Sequence, residues 1–472
     1  MLKKFFWIFF EKGSITILQF VTLFVLGRIL SPTEYGIYGI MLVFIGIAEM
    51  LVDSGFGGAI IKKEEIFQQD IDTLFITNIG ISIFLYVLLY LFAPALESFY
   101  KIESLSIYFR VLGLAIIIYA CSIVQNSLLI RNFKFKTSAI INLVSTLVSS
   151  IIAIIMAYYG CGIWSLIFQL IIHSILTTLL MWFNNRLKIS LEFSKQSFRF
   201  FWNFGSNLVA GNILQVVVNN ISTSIIPKIG DVVKAGYYFQ SVKITNIPAA
   251  IINNSIDKGV FSVLSKEKTQ STLIGQARKV NRYFVAIFFP AFPLLSICAI
   301  PIINLLLGKQ WIPASEYLSI LLWSGIALMM QGIYRNIVKS VGDTRLIFKI
   351  EVIKSIISLL IILIALNYGI IMLVIGYVVA SFVNMMIWGM VLCYKYTYSI
   401  VDQLKDLYKP IIATTIVYMS IYLMNLPSES MWNIVAVLFG YFIYLIISYY
   451  IGVTEIGIVL MKCKNKLCHE RK

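Results

Sequence analysis

Residues 14–61 read SITILQFVTLFVLGRILSPTEYGIYGIMLVFIGIAEMLVDSGFGGAII, two long apolar runs joined by a short turn, Arg28 to Tyr35, built on Ser31-Pro32. Each run is long enough to cross a bilayer. An irregular turn has backbone groups that hydrocarbon cannot satisfy, so it sits outside the hydrocarbon and the stretch is a transmembrane helical hairpin. The second run carries Glu49 and Asp53, one helical turn apart. A carboxylate at membrane depth costs about 2.5–3.5 kcal/mol on insertion scales, so both acids are expected to face other helices or water. Two hundred positions later the chain reads PKIGDVVKAGYYFQ, where Lys228, Gly236 and Tyr238 stand opposite Arg28, Gly36 and Tyr38. The hairpin is duplicated on this reading.

Composition agrees. The chain has 472 residues, 59% apolar and only 13% charged, with mean hydropathy +0.88. A soluble chain carries about a quarter charged residues, so this is the composition of an integral membrane protein. Hydrophobic windows give about fourteen spans, near 14–30, 36–61, 74–93, 108–130, 138–158, 162–183, 203–226, 235–262, 283–307, 314–338, 346–366, 370–394, 410–425 and 431–452. With a cytoplasmic N-terminus, alternating loops place 27 basic residues inside and five outside. That bias puts both termini in the cytoplasm and absorbs most of the net charge of +16, so nucleic acid is not needed to explain it. The basic start MLKKFFWIFFEKGS lacks a small-residue cleavage site and is expected to stay attached. The six cysteines form no CxxC pair. Cys463, Cys468 and His469 stand on a basic tail that reads as a tail rather than a metal site.

Further matches extend the repeat. Gln125 falls opposite Gln331, and Tyr159-Gly160 opposite Tyr368-Gly369, with offsets drifting from 200 to 209. Six spans per half is even, which makes the repeats parallel. The expected fold is all-α: a six-helix lobe at 1–183, a basic linker at 184–202, a second six-helix lobe at 203–394, two additional helices at 395–452 and a basic tail at 453–472.

Polar groups concentrate in spans seven and eight: Asn203, Asn207, Asn212, Gln215, Asn219, Gln240, Lys243, Asn254 and Asp257. Steps of three to five residues place them in stripes, the pattern of a wet cavity or of interhelical hydrogen bonding. Lys243 and Lys354 lie deep, on the order of 12 Å along their helices at the helical rise. Glu351 stands three residues before Lys354 and could pair with it, whereas no acid stands three or four residues from Lys243. Arg110 and Arg335 lie nearer span ends, where a long side chain can snorkel. Glu49 and Asp53 crowd two like charges. Either a cation from another helix neutralises them, or one holds a proton, as in a coupling site. His173 lies mid-span, as a hydrogen-bonded interior residue or a proton relay.

Gly13, Gln19 and the run Leu26-Gly27-Arg28-Ile29-Leu30-Ser31-Pro32-Thr33-Glu34-Tyr35-Gly36 resemble the opening of the bacterial polysaccharide transporters. Asp53-Ser54-Gly55-Phe56-Gly57 and Leu306-Leu307-Gly308-Lys309-Gln310-Trp311-Ile312-Pro313-Ala314 support the resemblance, which covers 10–395. These are the oligosaccharide flippases, in a superfamily with multidrug extruders and lipid II flippases. The resemblance implies two six-helix lobes around a central cavity and transport, by alternating access, of an undecaprenyl-diphosphate-linked oligosaccharide across the bacterial inner membrane. It implies ion coupling, no cofactor and no covalent catalysis, and leaves room for a polysaccharide polymerase and a chain-length regulator as partners. A diphosphate needs cations. Expected substrate contacts are Lys243, Lys354, Arg110, Arg335, Asn219, Gln215, Asn254 and Gln240. Expected ion-coupling groups are Glu49, Asp53, Asp257 and His173. A drug or cation extruder, or a lipid II flippase, of the same fold remains an alternative. A membrane polymerase or ligase fits poorly, because no outer loop is long enough to carry catalytic groups.

Overall fold

A computed structural model describes residues 2–53, 56–63, 65–185, 187, 189–190, 192–229, 231–264, 269–424, 427, 430–453 and 455–457; side chains at 203–215, 217, 219, 250–251 and 253–263 are among those outside the description. Among the described residues there is no strand. The helices are α1 (Leu2–Ile29), α2 (Pro32–Asp53), α3 (Phe56–Lys62), α4 (Gln68–Tyr100), α5 (Leu105–Arg131), α6 (Phe135–Tyr158), α7 (Ile163–Asn185), α8 (Lys195–Ile229) and α9 (Val232–Leu264). They continue with α10 (Gln270–Phe288), α11 (Ala291–Ile297), α12 (Ala299–Leu306), α13 (Ala314–Leu322), α14 (Ser324–Ser340), α15 (Thr344–Leu366), α16 (Ile370–Tyr396), α17 (Ile400–Leu423) and α18 (Trp432–Tyr450). By contacts the chain divides into two compact units, Met1–Phe239 and Gln240–Lys472.

Ten helical segments among the described residues are long and apolar enough to cross a membrane. Four further expected spans coincide with α8, α9, α15 and α17, helices of 35, 33, 23 and 24 residues. α15 alone carries Arg345, Lys349, Glu351 and Lys354.

In the first unit the hairpin turn is set by local chemistry. Ser31 caps α2: its hydroxyl and backbone N–H donate to the Glu34 carboxylate at 2.9 and 2.6 Å, while the Glu34 N–H reaches back to the Ser31 oxygen at 3.4 Å. With Pro32 at the first helical position, S-P-T-E is a capping box that needs only four residues to stop one helix and start the next. α7 is fastened to α5 by three side chains on one face. Thr178, Trp182 and Asn185 donate to the carbonyls of Ile118, Cys121 and Gln125 at 3.0, 3.0 and 3.2 Å. Phe56, Ile60, Leu74, Val124, Leu128 and Phe201 form an apolar core joining α3, α4, α5 and α8. The basic segment before α8 rests on the start of α4, where the N–H groups of Ser190 and Ser194 donate to Asp72 and Thr73 at 3.1 and 2.9 Å.

In the second unit the apolar window at 283–307 is not one helix. It is broken into the end of α10, α11 and α12, and the membrane-length segment runs instead over Ser271–Ile297. Proline is the cause. Pro290 has no N–H to give the Ala286 carbonyl, which would be its partner in a continuous helix. That carbonyl and the next accept instead from α18: Tyr444 donates to Ala286 at 2.8 Å and Tyr441 to Ile287 at 2.7 Å. The break therefore becomes the docking point for the two C-terminal helices, whose Val417, Ile421, Val437 and Tyr444 pack with Ala286, Leu294 and Cys298.

Candidate functional site

Glu49 and Asp53 are both half-buried on α2. Asp53 accepts a hydrogen bond from the Gly57 N–H, so it caps the short α3 that follows. A Cβ at Gly57 would lie 3.1 Å from the Asp53 carboxylate and 2.7 Å from the Ser127 hydroxyl, so the glycine allows α5 and the acid to meet there. Tyr38 stands within electrostatic range of Glu49, and Tyr119 on α5 within range of both acids. Among the described residues no lysine or arginine forms an ion pair with either. His173 is half-buried on α7 and makes no hydrogen bond with a described residue.

The turns that open α2 and α9, expected from the sequence to correspond, meet in this unit. Gly36 and Gly236 let the first turns of α2 and α9 touch: a Cβ on Gly36 would sit 2.1 Å from the Val232 carbonyl oxygen, and one on Gly236 would sit 1.9 Å from that of Pro32. The contact is reciprocal at an offset of two hundred, since Pro32 matches Val232 as Gly36 matches Gly236. Tyr35 and Tyr38 pack on Phe239 beside it.

The second unit buries a polar face in its interior. Lys354 lies near the middle of α15 and is 8% exposed. Its ammonium pairs with Glu351 at 3.1 Å, as the spacing predicts, and stands 5.7 Å from the centre of the Trp388 ring on α16. Arg335 on α14 is within electrostatic range of Lys354. One turn beyond Lys354, Ser358 accepts from the Asn384 amide at 2.9 Å, so the pair 354/358 on α15 faces the pair 384/388 on α16. The Asn384 oxygen and the Trp388 indole nitrogen are buried without a hydrogen-bond partner among the described residues. An acceptor, a donor and an ammonium thus line one buried face, a combination suited to a phosphate or a sugar hydroxyl. Gln331 closes it from α14, donating to the Ser381 carbonyl at 3.0 Å.

Residues 25–316 match the family described as polysaccharide biosynthesis protein. The chain belongs to that family. Its curated relatives include the teichuronic acid biosynthesis protein TuaB of Bacillus subtilis, 22% identical over 72% of this chain and 71% of the relative. The succinoglycan biosynthesis transport protein ExoT of Rhizobium meliloti is 23% identical over 74% and 71%, and the lipopolysaccharide biosynthesis protein WzxC of Escherichia coli 23% over 72% and 69%. Among solved structures the fold is similar to an inward-closed lipid II flippase MurJ, with TM-score 0.74 and 18% identity over 95% of this chain and 98% of that one. A structure of MATE in complex with MaL6 gives TM-score 0.51 at 15% identity, covering 83% and 94%. With these relatives and its apolar helices, the chain is a multi-pass membrane protein.

The remaining expected contacts fall in different places. Arg110 lies over the Tyr90 ring at 4.3 Å, and Glu97 feels its charge, so α4 and α5 hold it locally. Lys243 is half-buried on α9, and Gln240 is fully buried, with both side-chain polar atoms lacking a hydrogen-bond partner among the described residues. The side chains of Gln215, Asn219, Asn254 and Asp257, like Cys463, Cys468 and His469, lie outside the described residues. Sequence reasoning missed Trp388, Asn384 and Tyr119. Asn384 and Trp388 share i, i+4 spacing, a visible signal, but it sits in an otherwise apolar span with no charge to draw the eye.

Proposed function

We propose that the chain is a flippase that moves an undecaprenyl-diphosphate-linked oligosaccharide from the inner to the outer leaflet of the bacterial inner membrane by alternating access, with Lys354 binding the diphosphate. The observation that carries this is the buried face of α15 and α16, where an ammonium at mid-helix depth sits among polar atoms without partners. Pairing with Glu351 lowers the cost of holding that ammonium, yet a buried ion pair stabilises a fold poorly compared with apolar packing, so its presence at this depth favours a ligand. The relatives' names, teichuronic acid biosynthesis and succinoglycan transport, support a polymer precursor as cargo. Arg335 and Lys243 are further diphosphate contacts on this reading, and Gln240 offers a buried amide to the glycan. The lobes 1–183 and 203–394 are the repeats; support for this comes from the reciprocal Gly36/Gly236 crossing and from the matched pair Gly160 and Gly369, both with positive φ. Both termini are cytoplasmic on the charge bias, and a polymerase and chain-length regulator take the exported unit onward.

Glu49 and Asp53 supply the coupling site. Two carboxylates half-buried one turn apart, with Tyr119 in electrostatic range of both and no ion pair to a described cation, are placed to take up a proton or Na+. The test is export of surface polymer in a strain lacking the gene, complemented with Lys354→Gln or with Glu49→Gln/Asp53→Asn. Both variants are expected to insert normally. Each should accumulate lipid-linked glycan inside. Normal polymer with Lys354→Gln overturns the substrate site. Normal polymer accompanied by drug sensitivity on deletion would favour an extruder.

A further inference from the structure

Seven charged side chains at one end of the second unit take no part in the proposed transport site. Arg278 and Arg282 stand one turn apart on α10, matching Asp402 and Asp406 one turn apart on α17. Arg278 holds Asp406 at 3.1 Å and Asp402 at 3.3 Å; Arg282 holds Glu455, just past α18, at 3.2 Å. Tyr398 completes the Asp406 shell, donating at 2.7 Å. These pairs occupy both arginines and bury Asp406 and Glu455. Two lysines on the same rim are not used up. Lys409 donates to the Gly452 carbonyl at 2.8 Å, and Lys405 is exposed with no hydrogen bond or ion pair to a described residue.

This rim encloses a cavity of about 550 Å³, whose lining carries four cations, Arg278, Arg282, Lys405 and Lys409, against two carboxylates, Asp406 and Glu455. Counting Asp402, which holds Arg278 beside that lining, the cluster carries an excess of one positive charge. From its lip, α17 continues as an exposed apolar stripe at helical spacing: Leu404, Tyr408, Ile411 and Ile412 are 59%, 47%, 38% and 46% exposed. In a membrane protein such a stripe faces acyl chains, which puts the cavity mouth at headgroup level. A free anion would use the lysines and leave the stripe idle. A lipid uses both. We infer that this cavity holds the phosphate of an anionic phospholipid headgroup, with its acyl chains along the exposed face of α17 and its bound form bracing α17 and α18 against α10. A basic cavity at a helix end beside lipid-facing side chains is the arrangement that selects anionic headgroups. The occupant is a constituent of the membrane rather than the cargo, so the inference stands apart from the Lys354 site.

The experiment is a native mass spectrometry titration of the full-length protein with phosphatidylglycerol, with phosphatidylcholine and, separately, with inorganic phosphate as competitor. The wild type is expected to hold phosphatidylglycerol in preference to phosphatidylcholine. Lys405→Gln, at an exposed position that the fold does not use, should weaken phosphatidylglycerol about fivefold, the effect of one lysine at a membrane surface. Lys405→Gln/Lys409→Gln should weaken it further, with phosphatidylcholine unchanged in both. Lys354→Gln should leave phosphatidylglycerol binding intact. Undiminished preference in both lysine variants overturns the inference. Displacement of the lipid by millimolar phosphate also overturns it, revealing a small-anion site, and so does loss of the preference in Lys354→Gln, which would put the lipid in the transport site.

Discussion

Gly236→Ala is the sharpest single perturbation the structure offers. The added Cβ would lie 1.9 Å from the Pro32 carbonyl oxygen, 2.8 Å from the Pro32 carbonyl carbon and 3.2 Å from the Gly36 nitrogen. Real Cβ atoms essentially never come within 3.0 Å of another heavy atom, so the first contact alone demands 3.0 − 1.9 = 1.1 Å of separation. All three atoms are backbone, so no side chain can rotate away, and the first turns of α2 and α9 must part as bodies. Overpacking of this kind costs about 1–3 kcal/mol. Gly36→Ala should cost a similar amount, because its Cβ would lie 2.1 Å from the Val232 carbonyl oxygen. Both substitutions strain one contact, so once the helices have parted for one Cβ the second enters cheaply. The double variant is therefore expected to lose less than the sum of the two. Gly46→Ala on the same helix, with nothing within 4 Å of its Cβ, should lose nothing and gain up to about 1 kcal/mol from helix propensity. The assay is thermal unfolding of purified variants in one detergent, with hydrogen exchange at 32–40 reporting the local opening. Wild-type stability in Gly236→Ala, or strict additivity in the double variant, refutes the close crossing.

Three further outcomes follow from single contacts. Tyr444→Phe removes the donor that satisfies the Ala286 carbonyl orphaned by Pro290, so it should destabilise the second unit by about 1–3 kcal/mol; a melting temperature equal to wild type would show that the kink keeps its own bonds. Ser31→Ala removes the α2 cap and should cost about 1 kcal/mol, read as lowered melting temperature with faster exchange of the Thr33 and Glu34 amides. Glu351→Leu/Lys354→Met replaces the buried pair with apolar side chains and is expected to melt no lower than wild type while losing export; a folded variant that still exports would refute the substrate role of Lys354.

The membrane class and the hairpin were legible because both depend on properties that sequence carries directly. Run length over 14–61 fixes the crossing, and Ser31-Pro32-Thr33-Glu34 specifies its own cap without help from distant residues. The Glu351–Lys354 pair was legible for the same reason: three residues on a helix fix the distance between them. Helix breaks were less so. A hydropathy window averages over Pro290 and slid the span to 283–307, because proline changes a hydrogen-bond ladder without changing apolarity. The positive-inside count placed Arg278 and Arg282 among the inner-segment charges and carried no information on their partners. Their match to Asp402 and Asp406 lies more than a hundred residues away, and only the fold brings two i, i+4 pairs face to face.

Asp53 shows why the chemistry of a site is harder to read than its depth. From sequence it is the second of two crowded acids in a span, and its cost in hydrocarbon invites a partner cation. In the structure it accepts from the Gly57 N–H and so meets part of its requirement from the backbone of α3. No such cap is present at Glu49 among the described residues, and Tyr38 and Tyr119 stand within electrostatic range of it. The two acids are therefore unequal, and the pair reads as one anchored carboxylate beside one that must find its counter-charge from a proton or a mobile cation. That inequality yields a last prediction. Asp53→Asn keeps an oxygen able to accept from Gly57, so it should fold and retain part of its export; Glu49→Gln should fold equally well and lose the dependence of export on the ion gradient. Equal loss in both variants would mean that the acids act as one site, with the cap incidental to it.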